Sequence, residues 1–279
     1  MTVLEVLTAA SGYLAKHGVE SPRLNAEHLL AHALGKKRLD LYLEFDRPLS
    51  DQERAPLREW TRQRGNGIPL QHLLGTSEFF GRSFLCDARA LIPRPETERL
   101  IELIKENAKN LPADPLILDI GTGSGVIAIT LALEMAGSTV TATDLSEKAL
   151  ALAGENAARL AVAERVTFLQ ADLFPETGGP FHLIAANLPY IPSGEIPELQ
   201  REVQHDPVSA LDGGPDGLVL VERLIRKARS HAAPGALIAL EIGHDQAERV
   251  AALFAENQFS NIQTHRDYEN RERFVLASA

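Results

Sequence analysis

Cysteine is almost absent. Cys86 is the only one in 279 residues, so neither an intrachain disulfide nor a cysteine-based metal cluster can be built. Positive charge is also scarce, with 28 lysines and arginines against 38 aspartates and glutamates and a formal net charge of −10. That balance argues against a broad phosphate-gripping surface and against nucleic acid as a direct partner. No apolar run is long enough to cross a bilayer, because the longest apolar segment, Val126 to Leu133, falls far short of the ~20 residues required. The start, Met1-Thr2-Val3-Leu4-Glu5, carries an acid where an export signal needs a basic residue and a long apolar stretch. A cytoplasmic protein with no membrane partner is expected. What the chain does have is 44% hydrophobic residues, enough for a substantial core in two domains or one large one.

Two regions differ in their patterning. Up to about Leu74 the periodicity is helical only, with Leu4, Leu7, Ala10 and Leu14 on one stripe and Leu24, His28, Ala31 and Leu34 on another. Ser21-Pro22 offers a capping side chain followed by proline at the first helical position, and Ser50-Asp51-Gln52-Glu53 offers a cap with early acids. Gly65-Asn66-Gly67 closes that last helix. Residues 1–74 therefore predict a small helical bundle with Leu41, Leu57 and Trp60 in its core. Glu78 to Leu85 mixes aromatic and apolar residues around Gly81, which predicts a β-hairpin connector within residues 75–92.

From residue 93 to 279 strands and helices alternate. Strands are expected at Leu116–Asp119, Val140–Thr143, Val166–Gln170, Leu183–Ala186, Ala236–Glu241, Asn261–His265 and Phe274–Ala277. Helices fit between them at Val126–Glu134, Glu147–Leu160, Val219–His231 and Gln246–Glu256. This is the pattern of an α/β protein with a seven-stranded, doubly wound, Rossmann-like sheet. Only a short turn, Asp267-Tyr268-Glu269-Asn270, separates the final two strands, so they should pair antiparallel.

Leu116-Ile117-Leu118-Asp119-Ile120 runs into Gly121-Thr122-Gly123-Ser124-Gly125 and then a helix. Such a loop lets a ligand approach backbone that side chains would screen. The spacing lacks the third glycine of a dinucleotide fingerprint, since Val126 stands there. A carboxylate at Asp119 would repel a pyrophosphate and suit a cationic amino group. Asp144 ends the second strand, the place for a carboxylate that accepts both ribose hydroxyls. Asp172, after the third, can accept from an adenine amino group while Leu173 packs on the ring. Three acids at the ends of successive strands beside a glycine loop point to S-adenosyl-L-methionine, which carries an amino group, a sulfonium and a ribose but no phosphate.

Asn187-Leu188-Pro189-Tyr190 follows the apolar run Phe181 to Ala186, at the carboxyl end of a strand where open α/β sheets bind ligands. An Asn oxygen and the Leu188 carbonyl can accept both hydrogens of one planar NH2 group while a Tyr ring stacks on its face. Asn187 would border the cofactor as well. The tetrapeptide is the candidate catalytic and substrate-binding set. The long stretch from Ile191 to Gly217, rich in proline and glycine, is a loop of the kind that carries function. Arg94, Glu96, Glu98 and Glu241 suit either a structural or a functional role, and His205 and Asp206 lack the spacing of a metal site.

With these residues in view, the chain resembles the release-factor glutamine methyltransferases over nearly its whole length. The resemblance rests on the helical front, the hairpin, Leu91-Ile92-Pro93-Arg94-Pro95-Glu96-Thr97-Glu98, Asp119 to Gly125, the tetrapeptide, and Ala210-Leu211-Asp212-Gly213-Gly214-Pro215-Asp216-Gly217-Leu218. It implies N5-methylation of the glutamine in the Gly-Gly-Gln loop of class I peptide-chain release factors, with the helical domain gripping that protein. In one position the chain departs from the family, whose tetrapeptide is Asn-Pro-Pro-Tyr. Asn-Leu-Pro-Tyr is the form ribosomal RNA adenine dimethyltransferases carry, and an adenine amino group presents the same NH2 geometry. N6-adenine methylation of RNA or DNA is therefore the alternative, against which stand the net acidity, the helical domain and the Leu91–Glu98 segment.

Overall fold

A computed structural model describes all residues from Met1 to Ala279. The chain forms two compact units, one of Met1–Thr76 with Gln200–His205, the other of Ser77–Leu199 with Asp206–Ala279. None of its helices is long and apolar enough to cross a membrane.

The first unit is helical: α1 (Val3–Lys16), α2 (Pro22–Leu34), a 3₁₀ turn at Arg38–Leu43, α3 (Asp51–Gly65) and α4 (Leu70–Leu74). Thr2 and Ser50 each close a capping box with the glutamate three residues on, Glu5 and Glu53. Ser21 behaves differently from expectation. It adopts a left-handed conformation (φ 46°) and its side chain caps nothing. Instead Asn25 Nδ2 donates to the carbonyls of Glu20 and Ser21, tying down the turn. The core draws Val3, Val6, Leu7 and Leu14 from α1, Ala26, Leu29 and Leu30 from α2, and also Leu41 and Leu57. Leu4 and Leu24 lie outside it, exposed, and Trp60 is only partly buried against it. On α2 the inward positions near Leu24 go to Asn25 and Glu27, whose polar groups are all engaged. Glu27 accepts from Arg23, Arg38 and Tyr42, and Arg64 donates to Asn25 at 2.8 Å and to Glu202 at 2.8 Å. Glu202 belongs to the short segment of the long loop that joins this unit.

The second unit opens with a hairpin, β1 (Thr76–Phe79) and β2 (Arg82–Leu85), followed by α5 (Pro95–Asn107). Then come β3 (Leu116–Ile120), α6 (Val126–Glu134), β4 (Thr139–Asp144), α7 (Glu147–Arg159), β5 (Val166–Gln170) and β6 (Phe181–Asn187). The chain finishes with α8 (Val219–His231), β7 (Ala232–Glu241), α9 (Ala247–Glu256), β8 (Ser260–Arg266) and β9 (Glu272–Ser278). The seven strands of the large sheet lie in the order β5-β4-β3-β6-β7-β9-β8. All are parallel except β9, which runs antiparallel to both its neighbours. This is the doubly wound sheet read from the sequence.

Side-chain alternation puts Ile117, Leu183 and Ala185 on one face with α5 and α6, and Leu118, Ile184 and Ile238 on the other with α8 and α9. Both faces are covered, so every central strand is apolar on both sides. Asn156 of α7 has no exposed surface and locks two loops together. Its Oδ1 accepts from Leu85 N at 2.6 Å, and its Nδ2 donates to the carbonyls of Leu85 (3.2 Å) and Ser124 (3.0 Å). Asn156→Ala removes the partner of one buried and two partly buried backbone groups and should destabilise the protein by about 2–3 kcal/mol. Urea unfolding followed by circular dichroism measures this, and a change below about 0.5 kcal/mol would contradict the bracing role.

Candidate active site

The glycine loop leaves β3 with Gly121, Gly123 and Gly125 all at positive φ (71°, 54° and 85°). Two of them are also crowded. A Cβ on Gly121 would lie 2.8 Å from Leu188 Cδ2, and one on Gly125 would lie 2.8 Å from Ile129 Cδ1. Hydrogen bonds hold the loop to the next strand: Gly121 N and Thr122 N donate to the Thr143 carbonyl at 2.8 and 2.9 Å, and Gly123 N donates to Asp144 Oδ2 at 2.9 Å.

Asp119, expected at the cofactor, is fully buried. It shares the inward face of β3 with Ile117 and has no exposed surface. Its Oδ2 accepts from Thr122 Oγ1 at 2.6 Å and from Ala128 N at 3.1 Å. Ala128 lies in the first turn of α6, whose N-cap is Gly125 and supplies no side chain. The strand carboxylate therefore serves the donor that a capping residue would otherwise take. Oδ1 is buried without a partner. Burial pushes this carboxyl up to about 7, against the hydrogen bonds from Thr122 and Ala128.

The other expected residues meet at a cleft of about 390 Å³. One wall is Gly121 to Ser124 with Asp144; Asp172 and Leu173 follow; Asn187, Leu188 and Pro189 face them. Asp144 uses one lone pair on each oxygen, for Gly123 N and Ser146 N, which leaves acceptor capacity for hydroxyls. Asp172 is 59% exposed and pairs with Arg223 at 2.7 Å. Leu173, nearly buried at φ 70°, accepts from Thr143 Oγ1 at 2.7 Å through its carbonyl. Gly125 and Tyr190 are not among the residues that line it.

The tetrapeptide ends β6, where Asn187 pairs in register with Glu241 of β7. Asn187 Nδ2 donates to Thr97 Oγ1 at 3.1 Å, and Thr97 Oγ1 donates to Glu241 Oε2 at 2.7 Å. Burial pushes the Glu241 carboxyl up to about 7, with Thr97, Arg273 and Asn187 pulling the other way. Leu188 turns its side chain into the core against Gly121. The guanidinium of Arg273 sits over the Tyr190 ring, 5.6 Å from its centroid.

The glycine-rich Leu211–Gly217 segment explains itself at this point. A Cβ on Gly213 would lie 2.7 Å from the Pro189 carbonyl, and one on Gly217 would lie 2.2 Å from that of Tyr190. Gln246 Nε2 donates to the same Tyr190 carbonyl at 3.0 Å. Only glycines allow this backbone to pad the tetrapeptide so closely.

The Leu91–Glu98 segment divides its labour. Arg94 pairs with buried Asp206 at 2.7 Å, Ile92 N donates to Asp206, and Glu98 accepts from Phe80 N at 2.8 Å. Thr97, Gln246 and Arg273 escaped the sequence reading. Their partners are distant in the chain, and no local pattern marks them. Glu241 carried one signal, as an acid ending an apolar strand that neighbours the tetrapeptide's strand.

Strand order, glycine loop and strand-end carboxylates together define an α/β methyltransferase. The chain matches a family model described as "PrmC N-terminal domain" over residues 5–75 and one described as "Methyltransferase domain" over residues 117–205. It is 40% identical to the release factor glutamine methyltransferase of Chlorobaculum tepidum, covering 100% of this chain and 97% of that one. It is likewise 40% identical to the protein of that name from Geobacter sulfurreducens, covering 98% and 95%. A solved methyltransferase from Pyrococcus furiosus, 18% identical, shares the fold with a TM-score of 0.55 over 71% of this chain and 89% of that one. The chain belongs to the release factor glutamine methyltransferase family.

Asp119 generates a test on the protein without ligand. Its folded pKa of about 7 lies above the ordinary 3.8, so the native state holds the proton more tightly. The stability tied to that proton is full below about pH 4 and is lost as pH rises through about 7. Asp119→Asn has nothing to ionise. The Tm difference, variant minus wild type, should therefore grow more positive from pH 4.5 to pH 8, and a difference independent of pH would refute the buried-carboxyl account.

Proposed function

We propose that this enzyme transfers the methyl group of S-adenosyl-L-methionine to N5 of the glutamine in the Gly-Gly-Gln motif of class I peptide-chain release factors. The observation that carries this reading is the Asn187 amide at the cleft wall. Its nitrogen is committed to Thr97, which leaves Oδ1 to the cleft opposite the glycine loop. Around the cofactor, Asp144 would accept the ribose hydroxyls, Asp172 and Leu173 would meet the adenine, and Gly121 to Ser124 would supply backbone where no Cβ intrudes. S-adenosyl-L-methionine provides an electrophilic methyl group on a sulfonium and leaves as S-adenosyl-L-homocysteine.

The remaining work falls to the tetrapeptide. An amide nitrogen is a poor nucleophile because its lone pair is delocalised into the carbonyl. Asn187 Oδ1 and the Leu188 carbonyl accept its two N–H bonds, hold the nitrogen in line with the methyl group and stabilise the positive charge that grows on it. Tyr190, steadied by Arg273 beside the cleft, would have to reach past the present lining to stack on the amide plane. The N–C bond forms as the S–C bond breaks, and the surplus proton leaves the nitrogen for solvent afterwards. Leu188 retains the carbonyl that this role needs, so its replacement of a proline is compatible with activity. The helical unit grips the release factor, no nucleic acid or membrane takes part directly, and the reaction belongs to the cytoplasm, where translation ends.

With methyl-labelled cofactor, label should enter a release factor and fail to enter one whose Gly-Gly-Gln glutamine is replaced by alanine. Label entering RNA instead overturns the reading. Asn187→Ala should lower turnover by about 10²–10³-fold while calorimetry finds cofactor affinity within about threefold of wild type. Normal turnover in that variant removes the tetrapeptide from the mechanism.

A further inference from the structure

Asn187 can serve as an acceptor only if its amide oxygen, and not its nitrogen, faces the cleft. The two orientations have nearly the same shape, so packing alone discriminates weakly between them. Hydrogen bonding discriminates strongly. Glu241 lies at the end of β7 directly beside Asn187, is 2% exposed, and has Thr97 Oγ1 at 2.7 Å. Above pH 7, where the Glu241 carboxyl has lost its proton, it can only accept, so the single hydroxyl proton of Thr97 points at Glu241. Thr97 Oγ1 then offers only lone pairs to its other neighbour. That neighbour is the Asn187 amide at 3.1 Å, which also hydrogen-bonds the Glu241 carboxyl directly; both acceptors call for its NH2 group.

We propose that Glu241 and Thr97 form a polarity relay that orients Asn187, making them positioning residues for methyl transfer. The inference rests on the reading of Asn187 as the acceptor of the substrate amide. Thr97 is itself buried, at 3% exposure, at the wall of the cleft. Reversal of the Asn187 amide would set its NH2 toward Thr97's lone pairs no longer, and would aim a donor at the donors of the substrate. Buried groups that clash in this way are strongly disfavoured. The arrangement also explains why an acid is kept in a buried site where it is expensive to ionise: a neutral glutamine there can donate or accept, and would leave the direction of the chain undetermined.

The test uses the full-length enzyme at pH 8, with a release factor as substrate. Thr97→Val keeps the shape and removes the hydroxyl; it should lower kcat at least tenfold while KM and cofactor affinity stay within threefold. Thr97→Ser restores the hydroxyl and should recover kcat to within threefold of wild type. Glu241→Gln keeps Thr97 but frees the direction of its proton, and should lower kcat at least fivefold, which decides the matter should Thr97→Val fold poorly. A Thr97→Val enzyme within twofold of wild type, or a Thr97→Ser enzyme as impaired as Thr97→Val, overturns the relay. A merely structural role would move cofactor affinity together with kcat. If the wild type leaves glutamine unmethylated, the functional reading fails, and the relay is judged on the Asn187 side-chain NH2 resonances. They should shift in Thr97→Val but hold in Thr97→Ser, and unchanged resonances in Thr97→Val exclude it.

Discussion

Parallel strands β3 and β6 end side by side, and the chain leaves them toward opposite sides of the sheet, back through α6 from one and out into the long loop from the other. The cleft lined by the glycine loop, Asp144 and the tetrapeptide's first three residues depends on the gap that this divergence opens. Gly121 and Leu188 set how closely the two ends approach, because the Leu188 side chain occupies the space that a Cβ on Gly121 would need. The glycine loop can therefore lie flat against the tetrapeptide's strand, and the cleft opens above the pair. The padding by Gly213 and Gly217 from behind repeats the same device, since backbone that must touch backbone cannot carry side chains.

Buried charge is the second theme. Asp119 and Glu241 sit near the carboxyl ends of β3 and β7, with β6 between them, and burial raises both carboxyls toward neutrality. Their surroundings give them different work. Asp119 turns inward, away from the cleft, and braces the loop and the first turn of α6. Glu241 has its oxygen on a hydroxyl that in turn touches the residue at the cleft wall. Asp206 and Glu27 are buried too, each beside arginine, and pin chain segments rather than chemistry. Burying a carboxylate is unfavourable unless its hydrogen bonds are met, and in each case the compensation also fixes a piece of backbone that must not drift.

Leu188 illustrates how a departure from a family pattern can be absorbed. A proline in its position would stiffen the backbone, whereas leucine anchors the same backbone by burying its side chain in the core next to Ile120 and Ile184. The carbonyl, which is the part assigned to the substrate, is common to both. Rigidity in the tetrapeptide then comes from Pro189, from the glycine padding and from Gln246 rather than from a second proline.

The periodicities were sufficient to determine the helical front, the hairpin and a seven-stranded doubly wound sheet, because apolar alternation and turn residues act within a few positions of the chain. They also marked the glycine loop, Asp144, Asp172 and the tetrapeptide as strand-end candidates, and of these Gly121 to Ser124, Asp144, Asp172 and Asn187 to Pro189 line one cleft. The orientation of side chains at those ends was decided only by tertiary structure. The pleat of β3 turns Asp119 into the core; Ser21 looked like a cap until Asn25 took over its turn; Thr97 stood only inside the Leu91–Glu98 segment with no role of its own; Gln246 and Arg273 gave no local signal at all. The partners of Thr97, Gln246 and Arg273 lie tens of residues away, and a hydrogen bond across such a separation leaves no period in the sequence; Asp119 and Ser21 have near partners, but which way their side chains turn is set by the packing around them.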